Sequence, residues 1–329
     1  MMISRTPYRI SFFGGGTDYP DWYRTHGGAV LSTTINKFSY ITCRNLPPFH
    51  DYKYLIRYFK REEVRARDQI EHPSVRKCLE HLGIDHGLDI VHHGDLPARS
   101  GLGSSSTFTV GMLHALYALK GQMVTKRKLA DEALYVEQQL IGEAVGSQDQ
   151  IAASFGGFNR IDFGGPSEYS VTPISVAKER TIELQNNLML FFSGLPRIAA
   201  TIAKEKIAGL NSKQAELRSM HDLLEEAQQI LVSDHASIDE FGKLLNKQWE
   251  LKKSLAKGVT TTEIDSMYDK AMAAGALGGK LLGAGGGGFI LFYVPPSQQH
   301  RVKESLKNYL QIPFNFDNTG SQIIYFSYD

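Results

Sequence analysis

The sequence predicts an α+β fold in two domains, and three observations carry that reading. The chain has 329 residues, enough for two cores, and its 42% hydrophobic and 22% charged residues are those of an ordinary globular protein. Strand-like and helix-like stretches are mixed along it instead of alternating strictly, which argues against a doubly wound parallel sheet. The pattern also restarts near residue 182, giving an N-terminal domain over 1–182 and a C-terminal domain over 183–329.

In order, residues 8–13 read as a strand that ends in Gly14-Gly-Gly-Thr-Asp-Tyr-Pro20. Three glycines before Thr17 and Asp18 make an irregular loop that a ligand can approach closely, with polar groups presented at a strand end. Strands are expected at 28–35 and 38–44. The stretch 52–67 is dense in Lys and Arg (Lys53, Arg57, Lys60, Arg61, Arg65, Arg67), which reads first as a solvated face. His72-Pro73 opens a helix that runs to residue 81, and a short strand follows at 88–92.

Next comes Pro97-Ala-Arg-Ser-Gly-Leu-Gly-Ser-Ser-Ser-Thr107, running directly into an apolar-periodic helix over 108–119. Glycines admit a ligand to the backbone, hydroxyls cap and donate, and the N–H groups of the helix start point back at the loop. That combination suits an anion, above all phosphate. It is neither of two better-known phosphate loops. No G-x-x-x-x-G-K-[ST] occurs, and Ser106 stands where G-x-G-x-x-G needs its third glycine.

A second helix is expected over 128–144, ending at Gly146-Ser-Gln-Asp-Gln150, with a turn at Gly156-Gly157 and a strand at 158–163. Beyond residue 182 come a strand at 187–192, the Ser193-Gly194 turn and charged amphipathic helices over 197–257. A helix over 263–281, the loop Gly283-Ala-Gly-Gly-Gly-Gly288 and a strand at 289–294 complete the pattern.

Composition narrows the function classes. A formal net charge of +1 gives no reason to expect nucleic acid or an acidic membrane surface as partner. Cys43 and Cys78 are the only cysteines, which fits a reducing compartment and excludes a disulfide framework. With no signal-peptide core near the N-terminus and no run of membrane-spanning length, the expectation is a cytoplasmic protein. A homodimer is left open.

Glu137 carries the most chemical information. At about 100° per residue, Ala130, Ala133, Leu134, Ile141, Ala144 and Val145 form one apolar stripe with Glu137 in its middle. A carboxylate on a buried face needs a cation or strong donors. Two readings follow: a buried salt bridge with an arginine, or a Mg²⁺ ligand beside the phosphate loop, since that ion takes few protein oxygens. Asp149 lies twelve residues on, just past the expected helix end, and Arg9 sits near the start of the first strand. Together with the loop they supply the parts of a phosphoryl-transfer site.

Three motifs in order resemble those of the GHMP kinases: Thr6-Pro-Tyr-Arg-Ile-Ser-Phe-Phe-Gly-Gly-Gly-Thr-Asp-Tyr19, Pro97 to Thr107, and Lys280-Leu-Leu-Gly-Ala-Gly-Gly-Gly-Gly-Phe289. Within that family the likeness is greatest to the D-glycero-D-manno-heptose 7-phosphate kinases. The resemblance implies an S5-like N-terminal domain, a ferredoxin-like C-terminal domain and a cleft between them. It implies ATP and Mg²⁺ as cofactors and a sugar phosphate as acceptor, phosphorylated at its anomeric hydroxyl. Catalytic roles fall to Asp149 and Arg9, and Mg²⁺ to Ser105 and Glu137. ATP falls to Pro97, Arg99, Ser100, Gly101, Leu102, Gly103, Ser104, Ser105 and Ser106. Acceptor contacts are expected from Gly14, Gly15, Gly16, Thr17, Asp18, Arg197 and Gly285. Galactokinases carry Glu-His where this chain has Gly15-Gly16, which argues against galactose. Arg57, Lys60, Arg61, Arg65, Arg76 and Arg197 are candidates for the acceptor's phosphate. Alternatives are fucose or another free hexose as acceptor, a catalytically silent sugar-binding relative, or a decarboxylase of the mevalonate branch.

Overall fold

The computed structural model describes residues 1–194, 202, 207 and 209–328. Its first part runs β1 (Met2–Phe13), α1 (Pro20–His26), β2 (Gly28–Asn45), β3 (Tyr54–Arg57), β4 (Arg61–Val64), α2 (Pro73–His81), β5 (Leu88–Gly94), α3 (Ser104–Leu119), α4 (Lys126–Leu134), α5 (Gln148–Phe155), β6 (Phe158–Phe163) and β7 (Tyr169–Pro173). The remainder comprises α6 (Lys178–Asn186), β8 (Leu188–Phe192), α7 (Gln214–Val232), α8 (Asp239–Ser254), α9 (Thr262–Ala273), β9 (Gly278–Leu281), β10 (Phe289–Tyr293), α10 (Gln299–Ser305), β11 (Leu310–Ile312), β12 (Phe316–Asp317) and β13 (Gln322–Phe326).

One sheet runs β13-β1-β2-β5-β3-β4, with β12 and β6 also pairing with β2, and β7 with β6. A second, antiparallel sheet runs β11-β8-β10-β9. The mixture of helices and largely antiparallel strands is the α+β class read from the sequence. The 182/183 boundary falls inside α6, between the two sheets, but the division is not linear. β12 and β13 return to pair with β2 and β1, so the first sheet takes strands from both sides of that boundary.

Three local expectations need correction. The strands expected at 28–35 and 38–44 are one strand, β2. Its ladder to β1 shifts register between Pro7 and Arg9, where the proline has no N–H to donate and the irregularity is tolerated. The helix expected over 263–281 stops at Ala273, because Gly275 takes φ +111°, and residues 278–281 are strand β9. Gly278 and Gly279 suit that strand: a Cβ on Gly278 would lie 2.0 Å from the Gly242 carbonyl oxygen of α8. The helix expected over 128–144 becomes a π-helix at Tyr135–Ile141 and ends at Gly142, φ +76°. The wider turn buries both Val136 and Glu137 although they are neighbours in sequence.

The two sheets share a core. Phe12 and Phe13 of β1 meet Phe241 of α8 edge-on at 5.4 and 5.1 Å, within a cluster that includes Leu190, Leu224 and Leu291. This contact fixes the end of β1 against the second half of the chain, and the cleft opens beside it. Among the described residues no helix is long and apolar enough to cross a membrane, and Cys43 and Cys78 are buried free thiols.

Candidate active site

The loop before α3 is shaped by backbone that only glycine adopts easily. Gly101 has φ +89° and Gly103 +78°. Arg99 N–H donates to Ser104 Oγ at 2.9 Å and closes the turn. Pro97, Arg99 and Ser105 face solvent, Ser104 is half-buried, and Ser100, Leu102 and Ser106 turn inwards. The third glycine stretch lies directly on this loop. A Cβ on Gly283 would sit 2.4 Å from Gly101 Cα, one on Gly101 2.5 Å from the Leu282 oxygen, and one on Gly288 2.3 Å from the Ser100 oxygen. Phe289 N–H donates to that Ser100 oxygen at 3.1 Å. Gly283→Ala is therefore expected to lower Tm and raise KM for ATP severalfold. Gly165→Ala shares the left-handed φ (+78°) but has nothing within 4 Å of a new Cβ. It should cost only the local strain, about 1 kcal/mol, in a thermal melt.

Arg9 and Asp149 meet behind the loop. Arg9, 4% exposed, donates through Nε and Nη2 to Asp149 Oδ1 at 2.7 and 2.6 Å, and through Nη1 to the Gly101 oxygen at 2.9 Å. Arg9 N–H also donates to the Leu102 carbonyl, so β1 and the loop are laced together. Asp149 lies past the end of the preceding helix, as the sequence suggested, and there it occupies the first turn of α5, where peptide dipoles favour a carboxylate. Its side chain keeps 24% exposure at the cleft surface, yet it is packed deeply enough that burial raises its pKa. Arg9 pulls the other way and Asp18 adds to the rise, so the pairing with Arg9 does not leave Asp149 a weakened base.

Asp18 is 3% exposed, with Oδ1 accepting from Gly16 N–H at 2.9 Å and Oδ2 from Gln148 Nε2 at 2.8 Å. A cleft of about 150 Å³ is lined by Arg9, Gly15, Gly16, Asp18 and Asp149 from the first part of the chain and by Lys252, Lys280 and Gly283 from the last. Gly14 and Thr17, expected at the acceptor, instead build the loop: Thr17 Oγ1 donates to the Gly14 and Ala29 oxygens, and a Cβ on Gly14 would collide with Ala29. Gly285 packs on Val259, outside the cleft lining. Arg197 lies outside the described residues.

Glu137 is fully buried. Ser106 Oγ and Gln150 Nε2 both donate to its Oε2, while Oε1 has no hydrogen-bond partner among the described residues. Burial pushes its pKa up to about 7 against the partial compensation of Thr109, Ser106 and Gln150. No Lys, Arg or His among the described residues pairs with it, so the arginine salt-bridge reading finds no support there. A buried carboxylate oxygen that lacks a hydrogen bond is instead where a hard cation fits. Ser105 is exposed and is not among the partners of Glu137; Ser106, one residue on, is. Gln150 was missed in the sequence, although its place next to Asp149 lets one turn of α5 address Arg9 and Glu137 together.

The basic candidates are spent elsewhere. Arg57 pairs with Asp89 at 2.7 Å, Lys60 with Glu71 and Arg61 with Glu63. Arg65 and Arg76 donate to the Asp51 and Ile70 carbonyls. None of them lines the cleft. Lys252 and Lys280, which do line it, were given no role from the sequence: Lys280 opens the third motif, and Lys252 sits in an unremarkable local pattern.

Residues 71–157 match the GHMP kinases N-terminal domain and residues 220–312 the GHMP kinases C-terminal domain, together more than half of the chain. The chain belongs to the GHMP kinases. Among similar proteins is the D-glycero-alpha-D-manno-heptose 7-phosphate kinase of Campylobacter jejuni, 29% identical over 96% of this chain and 97% of the relative. A galactokinase of Pyrococcus furiosus is 26% identical over 93% of each chain. The solved structure of a D-glycero-D-manno-heptose 1-phosphate kinase from Bacteroides thetaiotaomicron superposes with a TM-score of 0.81, covering all of both chains at 24% identity, a likeness of fold. As a GHMP kinase the chain is a phosphotransferase with an alcohol acceptor, in a family that includes sugar kinases.

Proposed function

We propose that this GHMP kinase transfers the γ-phosphoryl group of ATP to the anomeric hydroxyl of D-glycero-D-manno-heptose 7-phosphate, giving the 1,7-bisphosphate. The observation that carries the reading is the junction of Arg9, Asp149 and the Gly101–Gly103 turn. It puts a carboxylate and a cation at the edge of an anion-binding loop. The full-length similarity to the Campylobacter jejuni kinase supplies the acceptor.

In this reading ATP lies with its phosphates on residues 100–106 and the start of α3. The acceptor enters the cleft beside Gly15, Gly16 and Asp18, and the bare backbone at Gly15 leaves room for the sugar. Asp149 orients the acceptor hydroxyl and takes its proton, and Arg9 offsets the negative charge that spreads over the transferring group. Mg²⁺ would be held by Glu137 with a hydroxyl of the 104–106 serines and would neutralise phosphate charge. A homodimer and a cytoplasmic location belong to the same proposal.

ADP release is the measurement that tests it, with free heptose, heptose 7-phosphate, fucose and galactose as acceptors. Heptose 7-phosphate is expected to give the highest kcat/KM, by about tenfold or more over free heptose. That is the scale of one charge-assisted contact at roughly 1.5–3 kcal/mol. Equal efficiency for the two heptoses would return the assignment to an unphosphorylated sugar.

A further inference from the structure

We propose that Lys252, with Lys280, forms the site that binds the acceptor's own phosphate. The inference rests on the phosphorylated-acceptor reading above and assigns that phosphate to residues outside the surface cluster on β3 and β4. A sugar phosphate monoester brings about two negative charges that the loop under ATP does not address.

Arg9, Lys252 and Lys280 are the lysine and arginine side chains that line the cleft among the described residues. Arg9 is committed to Asp149 and the Gly101 carbonyl. Asp18 and Asp149, in the same cleft, suit hydroxyl groups and repel phosphate. The two lysines are the other cations of the lining, each held on backbone carbonyls.

Both are already ordered. Lys252, on α8 and 5% exposed, donates through Nζ to the Leu281 and Gly283 carbonyls at 2.5 and 2.7 Å. Lys280, 3% exposed, donates to the Phe12 carbonyl at 2.7 Å, one residue before the Leu281 that Lys252 holds. An ammonium fixed before the ligand arrives loses little side-chain entropy on binding, which favours affinity.

The opposite wall leaves space for a ligand at Gly15. A Cβ on Gly15 would meet nothing closer than Gln148 Nε2 and Ser11 Oγ at 3.8 Å. Gly16 is closer packed: a Cβ there would sit 3.2 Å from Leu217 Cδ2 and 3.6 Å from Leu255 Cδ1, three residues beyond Lys252. The glycine loop therefore faces the end of α8 that carries Lys252.

The test is steady-state kinetics on the full chain with ATP and either free heptose or heptose 7-phosphate, for wild type, Lys252→Gln, Lys252→Arg and Lys280→Gln. Lys252→Gln is expected to raise KM for heptose 7-phosphate about tenfold or more, with KM for ATP within about twofold of wild type, and Lys252→Arg to recover most of the loss. The preference for the phosphorylated sugar should fall by the same factor. Inorganic phosphate should inhibit wild type competitively with the acceptor, and Lys280→Gln should weaken that inhibition. If Lys252→Gln does not fold in a thermal melt, Lys280→Gln carries the same comparison, with Lys252→Arg as the charge-keeping control. An undiminished preference in the folded Gln variants, or a parallel rise in KM for ATP, would overturn the lysine assignment while the acceptor assignment stood. Absence of any preference in wild type would instead remove the phosphorylated-acceptor reading itself.

Discussion

Asp149→Asn should lower kcat by about 10²-fold or more while KM for ATP stays near its wild-type value, the scale expected when a positioned acid/base group is lost. The substitution keeps shape and removes the charge that Arg9 faces at 2.6 Å. ATP binding should survive, because the loop rests on its own turn and on the glycine stretch packed against it. The carboxylate also sets a pH dependence. Burial outweighs Arg9 and raises the pKa of Asp149, so the acid limb of the kcat/KM profile should lie above that of an ordinary aspartate. A folded Asn variant with near-normal kcat would remove Asp149 from the chemistry.

The second large effect is expected at Glu137, and it has two parts of opposite sign. Without metal, Glu137→Gln should stabilise the protein above neutral pH by on the order of 3 kcal/mol, since the wild-type carboxyl is buried with a pKa raised from 4.5 to about 7. A carboxyl that binds its proton more tightly folded than unfolded contributes stability below its unfolded pKa. It loses that contribution as pH rises from about 4.5 to about 7. Wild type should therefore lose Tm across that window in chelator, and the Gln variant should not. With ATP present the order reverses in function: the variant should need much more Mg²⁺ for half-maximal rate, because the ion has lost its anionic protein oxygen. Parallel Tm curves for the two proteins, or an unchanged Mg²⁺ titration, would leave Glu137 as a structural acid only.

Much of the site was legible because its signals are local. The phosphate loop is contiguous in sequence, and glycine marks each place where backbone touches backbone, at Gly101, Gly283 and Gly288. The position of Glu137 on an apolar stripe announced its burial. What periodicity could not supply was the local geometry that breaks it. The π-turn at Tyr135–Ile141 and the change from helix to strand between Ala273 and Gly278 both depend on what packs alongside, here α2 and α8.

By itself, then, the sequence determined the α+β class, the three glycine-rich motifs and the identity of the charged residues that pair with them, because each is written in a short window of side-chain size and polarity. Only the tertiary structure decided partners. Arg9 finds Asp149 across 140 residues, Lys280 finds the Phe12 carbonyl across 268, and Glu137 meets two neutral donors where an arginine was one of two expectations. The physical reason is that burial is set by local pattern, whereas the group that meets a buried charge is chosen by how distant elements pack around a shared core.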